Sequence, residues 1–241
     1  MIITTSNGKG GTGKTTLNAF IAETLYLYGY KVLEIDLDHN CCLSEMYRME
    51  LKDETSKNFL SGQKVTPYTI KSNEKAILDI IPSDLDMNML ANVMDTQLKI
   101  QIRKSGFAEK YDFIILDPPG TWNAQTRNAV FASDTIVVSG TCSQLDLRAT
   151  EKYFEQLQSC YLDANVFVVC NKYNKQLNLE GIFEEYQQAF GEYLIDFPIP
   201  DVKSLKKLVA DPNYTLQSAI RHRLERFVEV VTELHFNQEN K

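Results

Sequence analysis

Eight residues constrain this chain more than any others: Gly8-Lys9-Gly10-Gly11-Thr12-Gly13-Lys14-Thr15. They match G-x-x-x-x-G-K-[ST] at every fixed position. They stand between an apolar run, Ile2 to Thr5, and a segment in which Leu17, Phe20, Ile21, Thr24, Leu25 and Tyr28 recur at helical spacing up to Gly29. Glycines let backbone N–H groups curl around an anion's oxygens without obstruction by a Cβ. The helix that follows aims its first N–H groups and the positive end of its dipole at the same point. In such a loop Lys14 bridges β- and γ-phosphates, the Thr15 hydroxyl ligates Mg²⁺, and Gly8 to Thr16 together bind the nucleotide's phosphates.

The rest of the chain alternates strand-like and helix-like segments. Val32 to Ile35, Ala76 to Ile81, Phe113 to Leu116, Thr135 to Val138, Val166 to Val169 and Tyr193 to Phe197 read as strands. Leu85 to Ile102, Leu145 to Tyr161 and Leu179 to Phe190 read as helices. Short continuous apolar strands alternating with helices predict an α/β fold, a mostly parallel central sheet with helices on both faces, of the P-loop NTPase class. No linker or repeat divides the chain, so residues 1–241 read as one domain. The polar, mixed stretch from Cys41 to Asn73 reads as a helix–turn connection, with a surface excursion carrying a partner site as the alternative.

Composition adds exclusions. Hydrophobic content of 44% and charged content of 24% are those of an ordinary globular chain. The five cysteines include no C-x-x-C pair, so neither a disulfide framework nor a zinc knuckle is indicated. The N-terminus lacks a signal-peptide pattern, and no apolar run is long enough to span a bilayer. The reading is a reduced, cytoplasmic, soluble protein.

The second lysine of the loop, Lys9, gives Lys-Gly-Gly-Thr-Gly-Lys-Thr-Thr, which resembles the deviant Walker A motif of the ParA/MinD ATPases. That resemblance implies an ATP-dependent sandwich homodimer in which Lys9 reaches the phosphates held by the other subunit. It implies ATP and Mg²⁺ as cofactors and a Mg-dependent ATPase activity. Val32 to Asp38 resembles the family's D-x-D segment, although His39-Asn40 replaces the usual Pro-Gln. The resemblance makes Asp38 the residue that positions the attacking water and gives Asp36 a place in support of the Mg²⁺ shell. Tyr111 to Asp117 is a Walker B pattern whose Asp117 serves the metal, and Asp-Pro-Pro-Gly stands where the family has Asp-Thr-Pro-Pro. Asn128-Ala129 with Ala132-Ser133-Asp134 matches a further family segment. By the same likeness Asn171 hydrogen-bonds the adenine edge, and Pro200 and Asp201 pack on the ring.

The net charge of −7 and the pI near 5.1 argue against nucleic acid as a partner of the chain as a whole. From Lys203 to Arg226, however, six basic residues (Lys203, Lys206, Lys207, Arg221, Arg223 and Arg226) face only Asp211 and Glu225, a local +4. Such a patch suffices for non-specific phosphate neutralisation. The chain therefore most resembles short ParA-type partitioning proteins, with seven residues ahead of the loop and no room there for a helix-turn-helix. That likeness implies non-specific binding to nucleoid DNA, a ParB-like centromere-binding partner that stimulates hydrolysis, and a nucleoid-associated location. The alternative is a MinD-like membrane-associated positioning ATPase. The tail argues against it, because Glu229, Glu233 and Glu239 make it acidic, whereas a membrane-surface helix favours Lys and Arg. No stable membrane association is expected. An iron–sulfur reductase on the same fold is disfavoured by the lack of any cysteine between Asp117 and Cys142.

Overall fold

The computed structural model describes residues 1–49, 53–160, 162–174, 180–201 and 218–236. Seven strands form one sheet: β1 (Ile2–Ser6), β2 (Lys31–Asp36), β3 (Tyr68–Ser72), β4 (Ile77–Ile81), β5 (Phe113–Asp117), β6 (Thr135–Thr141) and β7 (Asn165–Asn171). Their order is β3-β4-β2-β5-β1-β6-β7, and every neighbouring pair is parallel except β3 with β4. The α/β expectation is met. The inner strands are buried on both faces because helices cover both, and the polar side chains they carry, such as Thr4, Thr5 and Glu34, are buried with them. On β2, Val32 faces the cluster built around helix α1 (Lys14–Leu27), while Leu33 and Ile35 face the opposite cluster with Leu98, Ile102 and Ala129.

Helix α1 lies inside the molecule, with Leu17, Ala19, Ile21, Ala22 and Leu25 fully buried. It stops where the sequence says. Gly29 takes φ of +93°, and Tyr30 N–H turns back to the Leu25 carbonyl at 3.1 Å, closing the helix end. The short helices α2 (Cys42–Met46) and α3 (Ser56–Leu60) follow β2. Helices α4 (Gln97–Lys104) and α5 (Phe107–Lys110) precede β5. Helix α6 (Ala124–Ala132) is capped by Asn123, whose side chain accepts from Thr126 N–H. Helices α7 (Gln144–Gln158), α8 (Glu180–Phe190) and α9 (Ser218–Thr232) complete the described elements. Tyr161 and Leu179, the outer ends expected for α7 and α8, lie outside the described residues.

Three expectations change. Leu85 to Ile102 is not one helix: a 3₁₀ turn spans Leu85–Met89 and α4 begins only at Gln97. Gln125 Nε2, from α6, donates to the carbonyls of Met87 at 2.6 Å and Leu90 at 3.3 Å, the groups a continuing helix needs for itself. The stretch from Cys41 to Asn73 holds helices and turns but also supplies edge strand β3. Tyr193 to Phe197 does not form a strand. Only Val168 bridges Leu194, and Pro198 and Pro200 lack the N–H groups needed to extend a ladder.

Candidate functional site

The C-terminal ends of parallel strands form one rim of the sheet, and ligands in such folds bind there. Central β1 delivers the glycine loop to that rim, β2 delivers Asp36 and Asp38, β5 delivers Asp117, and β7 delivers Asn171. Gly10, Gly11, Gly13, Lys14, Thr15, Thr16, Asp38, Asn40, Cys42, Glu45, Met46, Gly120 and Lys172 line a cleft of about 560 Å³. Of the sequence-predicted residues, Gly10, Gly11, Gly13, Lys14, Thr15, Thr16 and Asp38 converge on this cavity, while Gly8, Lys9, Thr12, Asn171, Pro200 and Asp201 are not in its lining.

The loop is held from outside. Gly11 and Gly13 take φ of +79° and +94°, conformations that only glycine adopts cheaply. Several of the loop's carbonyls are held by side chains: Lys14 Nζ donates to Lys9 O at 3.3 Å, Lys172 Nζ to Gly11 O at 2.5 Å and Asn171 Nδ2 to Thr12 O at 2.8 Å. Asn7 anchors the loop's entry, accepting Lys9 N–H at 3.0 Å and donating to Ser139 O at 2.8 Å. With these carbonyls occupied, the loop has amides to offer an anion.

Lys14 is almost wholly buried. Burial lowers its pKa, and the charges of Asp117 and Asp38 oppose that shift. Asp36 and Asp117 are aligned partners across β2 and β5, both fully buried beneath the cleft floor. Burial is the main reason their carboxyls titrate high, at about 8 and about 6. For Asp36 the charge of Asp117 adds to the rise. For Asp117 donation from Asn18 and Thr15 and the charge of Lys14 oppose it.

The two carboxylates differ in what they hold. Asp36 Oδ2 accepts from Ser44 N at 2.9 Å and Ser44 Oγ at 2.7 Å, and its Oδ1 accepts from Asp38 N at 3.1 Å. It organises the turn that presents Asp38, and its polar capacity is taken by protein. Asp117 Oδ1 accepts from Asn18 Nδ2 at 2.8 Å, whereas its buried Oδ2 accepts no hydrogen bond. An orphaned carboxylate oxygen beside the Thr15 hydroxyl fits a divalent cation that takes few protein ligands and completes its shell with phosphate and water.

Asp38 lines the cleft. Its Oδ1 accepts from Asn40 N at 3.0 Å and Asn40 Nδ2 at 2.9 Å, with His39 Nδ1 at 3.4 Å, so the carboxylate is fixed in direction. Lys9 pairs within its own chain with Asp146, which also accepts from the Thr141 hydroxyl. Asn171 is buried, with its Oδ1 accepting Lys172 N–H at 2.9 Å and its amide on the loop. Pro200 bridges Tyr173, and Asp201 N–H donates to Tyr173 O at 2.9 Å, which brings that loop beside Asn171.

The basic segment is divided. Lys203, Lys206 and Lys207 lie outside the described residues. Of the described arginines on α9, Arg221 approaches Glu225 at 3.6 Å, while Arg226 pairs with Asp196 at 3.0 Å and lies over the Phe197 ring. Arg223 is exposed. Leu224, Phe227, Val228 and Val231 of the same helix are fully buried, so its apolar face belongs to the core.

Sequence reading missed Lys172, Gly120, Cys42, Glu45 and Met46 in the cleft, Asn18 beneath it, and Asp146 beside Lys9. Asn18 carried a signal, as a polar residue on an otherwise apolar helix face. The others carried none without the topology.

Residues 1–198 match the family model described as AAA domain. The chain belongs to this family. Its relatives are ParA-type P-loop proteins. It is 29% identical over 203 residues to cell division protein PomZ of Myxococcus xanthus, covering 78% of this chain and 63% of PomZ. It is 24% identical over 213 residues to chromosome partitioning protein ParA of Caulobacter vibrioides, covering 83% and 80%. Among solved structures, apo McdA of Cyanothece superposes with a TM-score of 0.81 at 19% identity, covering 96% of this chain and 98% of that one. A plasmid partition protein of Borrelia burgdorferi bound to AMPPNP gives 0.79 at 21%, covering 96% and 98%. The pNOB8 ParA bound to nonspecific DNA gives 0.72 at 17%, again covering 96% and 98%. These superpositions establish the fold.

Proposed function

We propose that this chain is a Mg-dependent ATPase of ParA type that forms an ATP-dependent homodimer, binds DNA non-specifically and hydrolyses ATP under the stimulus of a ParB-like partner. One observation carries the reading. A glycine loop whose carbonyls are held by Lys14, Asn171 and Lys172 lines a cleft with Lys14, Thr15 and Asp38, and Asp117, buried beside Thr15, keeps a free carboxylate oxygen. The AMPPNP complex of the Borrelia relative and the DNA complex of pNOB8 ParA support the ligand assignments.

In this reading Gly8 to Thr16 bind the triphosphate, and Lys14 neutralises its inner charge. Thr15 and Asp117 hold Mg²⁺, which when bound withdraws charge from the transferring phosphoryl group. Asp36 acts at one remove, by fixing the backbone of Asp38. Asp38, steadied by Asn40, orients a water in line with the γ-phosphate, the main requirement for this loose transfer. Lys9 leaves Asp146 and serves the partner's nucleotide as a trans cation. Asn171, Pro200 and Asp201 do not line the cleft, and Asn171 is already bound to the loop, so the base contact expected of them needs a rearrangement on nucleotide binding. Arg221, Arg223 and Arg226, with Lys203, Lys206 and Lys207, form the DNA face, which two copies present together. The protein acts as one domain in the cytoplasm, on the nucleoid. The MinD-like alternative finds no support in α9, whose apolar residues are buried.

Light scattering with ATP, ADP or no nucleotide, with and without DNA, tests the reading. The expected result is a dimer and DNA binding with ATP alone, persisting in Asp38→Ala. Equal DNA affinity in all three nucleotide conditions refutes it.

A further inference from the structure

Lys172 is a cation at the cleft that the family reading above leaves without a role. It stands at the end of β7 with φ of +56°, a left-handed conformation that costs a side-chain-bearing residue and persists only where surrounding contacts enforce it. Its ammonium reaches across the molecule, 161 positions back in sequence, to the Gly11 carbonyl at 2.5 Å. The preceding residue does the same with a neutral donor, Asn171 Nδ2 to Thr12 O at 2.8 Å. The next carbonyl, Gly13 O, is taken by Leu17 N–H of α1 at 2.9 Å. Three consecutive carbonyls are therefore held, two of them by the Asn171-Lys172 dipeptide at the end of β7. Each held carbonyl fixes the peptide plane it shares with the following N–H. The loop also accommodates this clasp on its own side: a Cβ on Gly13 would stand 2.4 Å from Asn171 Nδ2.

We propose that Lys172, acting with Asn171, clasps the phosphate loop at Gly11 and Thr12 and is a positioning residue for nucleotide binding. Its contact is with the backbone that cradles the phosphates. The inference rests on the nucleotide-binding reading above. A clasp on Gly11 and Thr12 orders the amides in the middle of the loop, which ATP and ADP both use. A simple long-range cation would instead favour the more highly charged ATP. The two mechanisms thus predict different ratios.

The test is calorimetric titration of the full chain with Mg-ATP and with Mg-ADP, in wild type, Lys172→Met, Lys172→Gly and Lys172→Arg. The methionine variant keeps the stem and loses the donor. It is expected to weaken both nucleotides about tenfold, and by the same factor, the scale of one charge-assisted hydrogen bond. Glycine relieves the left-handed backbone, so Lys172→Gly is expected to melt no lower than wild type while binding both nucleotides as weakly as Lys172→Met. Arginine restores a charged donor and is expected to bring both affinities back to within about threefold of wild type. Wild-type affinity in both the methionine and glycine variants overturns the clasp, as does a loss confined to ATP. A wild-type chain that binds neither nucleotide refutes the nucleotide reading itself, a separate result from a wild type that binds and variants that do not change.

Discussion

Replacing Gly13 by alanine tests the architecture of the loop at its most crowded point. Gly13 has φ of +94°, well beyond the left-handed well near +57° that L-residues tolerate. Adopting it costs an alanine roughly 1–2 kcal/mol. The new methyl also meets Asn171 Nδ2 at 2.4 Å, inside van der Waals contact by about an ångström. Asn171 is buried and bound, so it cannot simply swing aside. Moving it breaks the bond to Thr12 O and leaves a buried carbonyl unpaired, at about 1–3 kcal/mol. Together the two effects predict a loss of about 2–5 kcal/mol in the absence of nucleotide.

The neighbouring glycines supply the controls. Gly11 has φ of +79° but nothing within 4 Å of a built Cβ, so Gly11→Ala is expected to show the backbone cost alone, about 1–2 kcal/mol. Gly10 has neither a positive φ nor a near neighbour, so Gly10→Ala is expected to be neutral or slightly stabilising. Guanidinium unfolding of the three variants should rank them in that order. The steric part can be isolated in an Asn171→Ala background, where Gly13→Ala should lose only its backbone cost. Equal losses for Gly11→Ala and Gly13→Ala, or no coupling between Gly13 and Asn171, would refute the argument that Asn171 is rigidly seated on the loop.

Three further outcomes follow from the buried charges. Burial raises the carboxyl pKa values of Glu23, Glu34, Asp36 and Asp117, the last two to about 8 and about 6. The folded state thus holds protons that the unfolded state releases near pH 4. Stability should fall as pH rises through the window from about 4 to about 8, by up to about 1.4 kcal/mol per pH unit for each group while it titrates. Unfolding midpoints at pH 5.5 and 8 check the sign, and a rise toward pH 8 contradicts it. Tyr111→Phe removes a donor that reaches buried Asp79 Oδ2 at 2.5 Å, where Thr69 and Lys110 also converge. A loss of about 1–3 kcal/mol is expected by denaturant titration, and a variant as stable as wild type would show that Thr69 and Lys110 suffice. Asp146→Asn removes the charge that holds Lys9 in its own chain. Because Lys9 is 43% exposed, the pair contributes no more than about 1 kcal/mol, so ATP-dependent dimers should form at up to about fivefold lower ATP, read by sedimentation. A higher ATP requirement means that Asp146 assists Lys9 and does not restrain it.

The elements legible in the sequence are those whose cause is local. Strands β1, β2 and β5 carry the apolar pairs or runs Ile2-Ile3, Val32-Leu33 and Phe113 to Leu116, and β2 and β5 end in the buried Asp36 and Asp117 at the rim of the sheet. The phosphate loop was legible for the same reason, since its glycines serve conformations that the loop itself requires. Strand β3 was not legible. Tyr68-Thr69-Ile70-Lys71-Ser72 is half exposed, and it becomes a strand because the outer edge of β4 needs a partner. The interruption of the expected Leu85–Ile102 helix was illegible too, because Gln125 breaks it from another element.

The same division runs through the site and explains why its amide side could be read and its carbonyl side could not. Amides facing a ligand are specified by glycine spacing, which is written in consecutive residues. The groups that hold the loop's carbonyls, and the carboxylate that holds its Lys9 ammonium, arrive through topology. Lys172 comes from 161 positions away because β7 ends on the rim where β1 ends, and Asp146 reaches Lys9 from 137 positions away because α7 starts after β6, next to β1. Neither residue stands out by type or neighbours, since a lysine after a strand and an aspartate in a first helical turn are ordinary choices. A phosphate loop is therefore under two kinds of constraint. Changes to its glycines act through local backbone geometry. Changes at its distant anchors act by releasing peptide planes, and they are visible only once the order of strands is known.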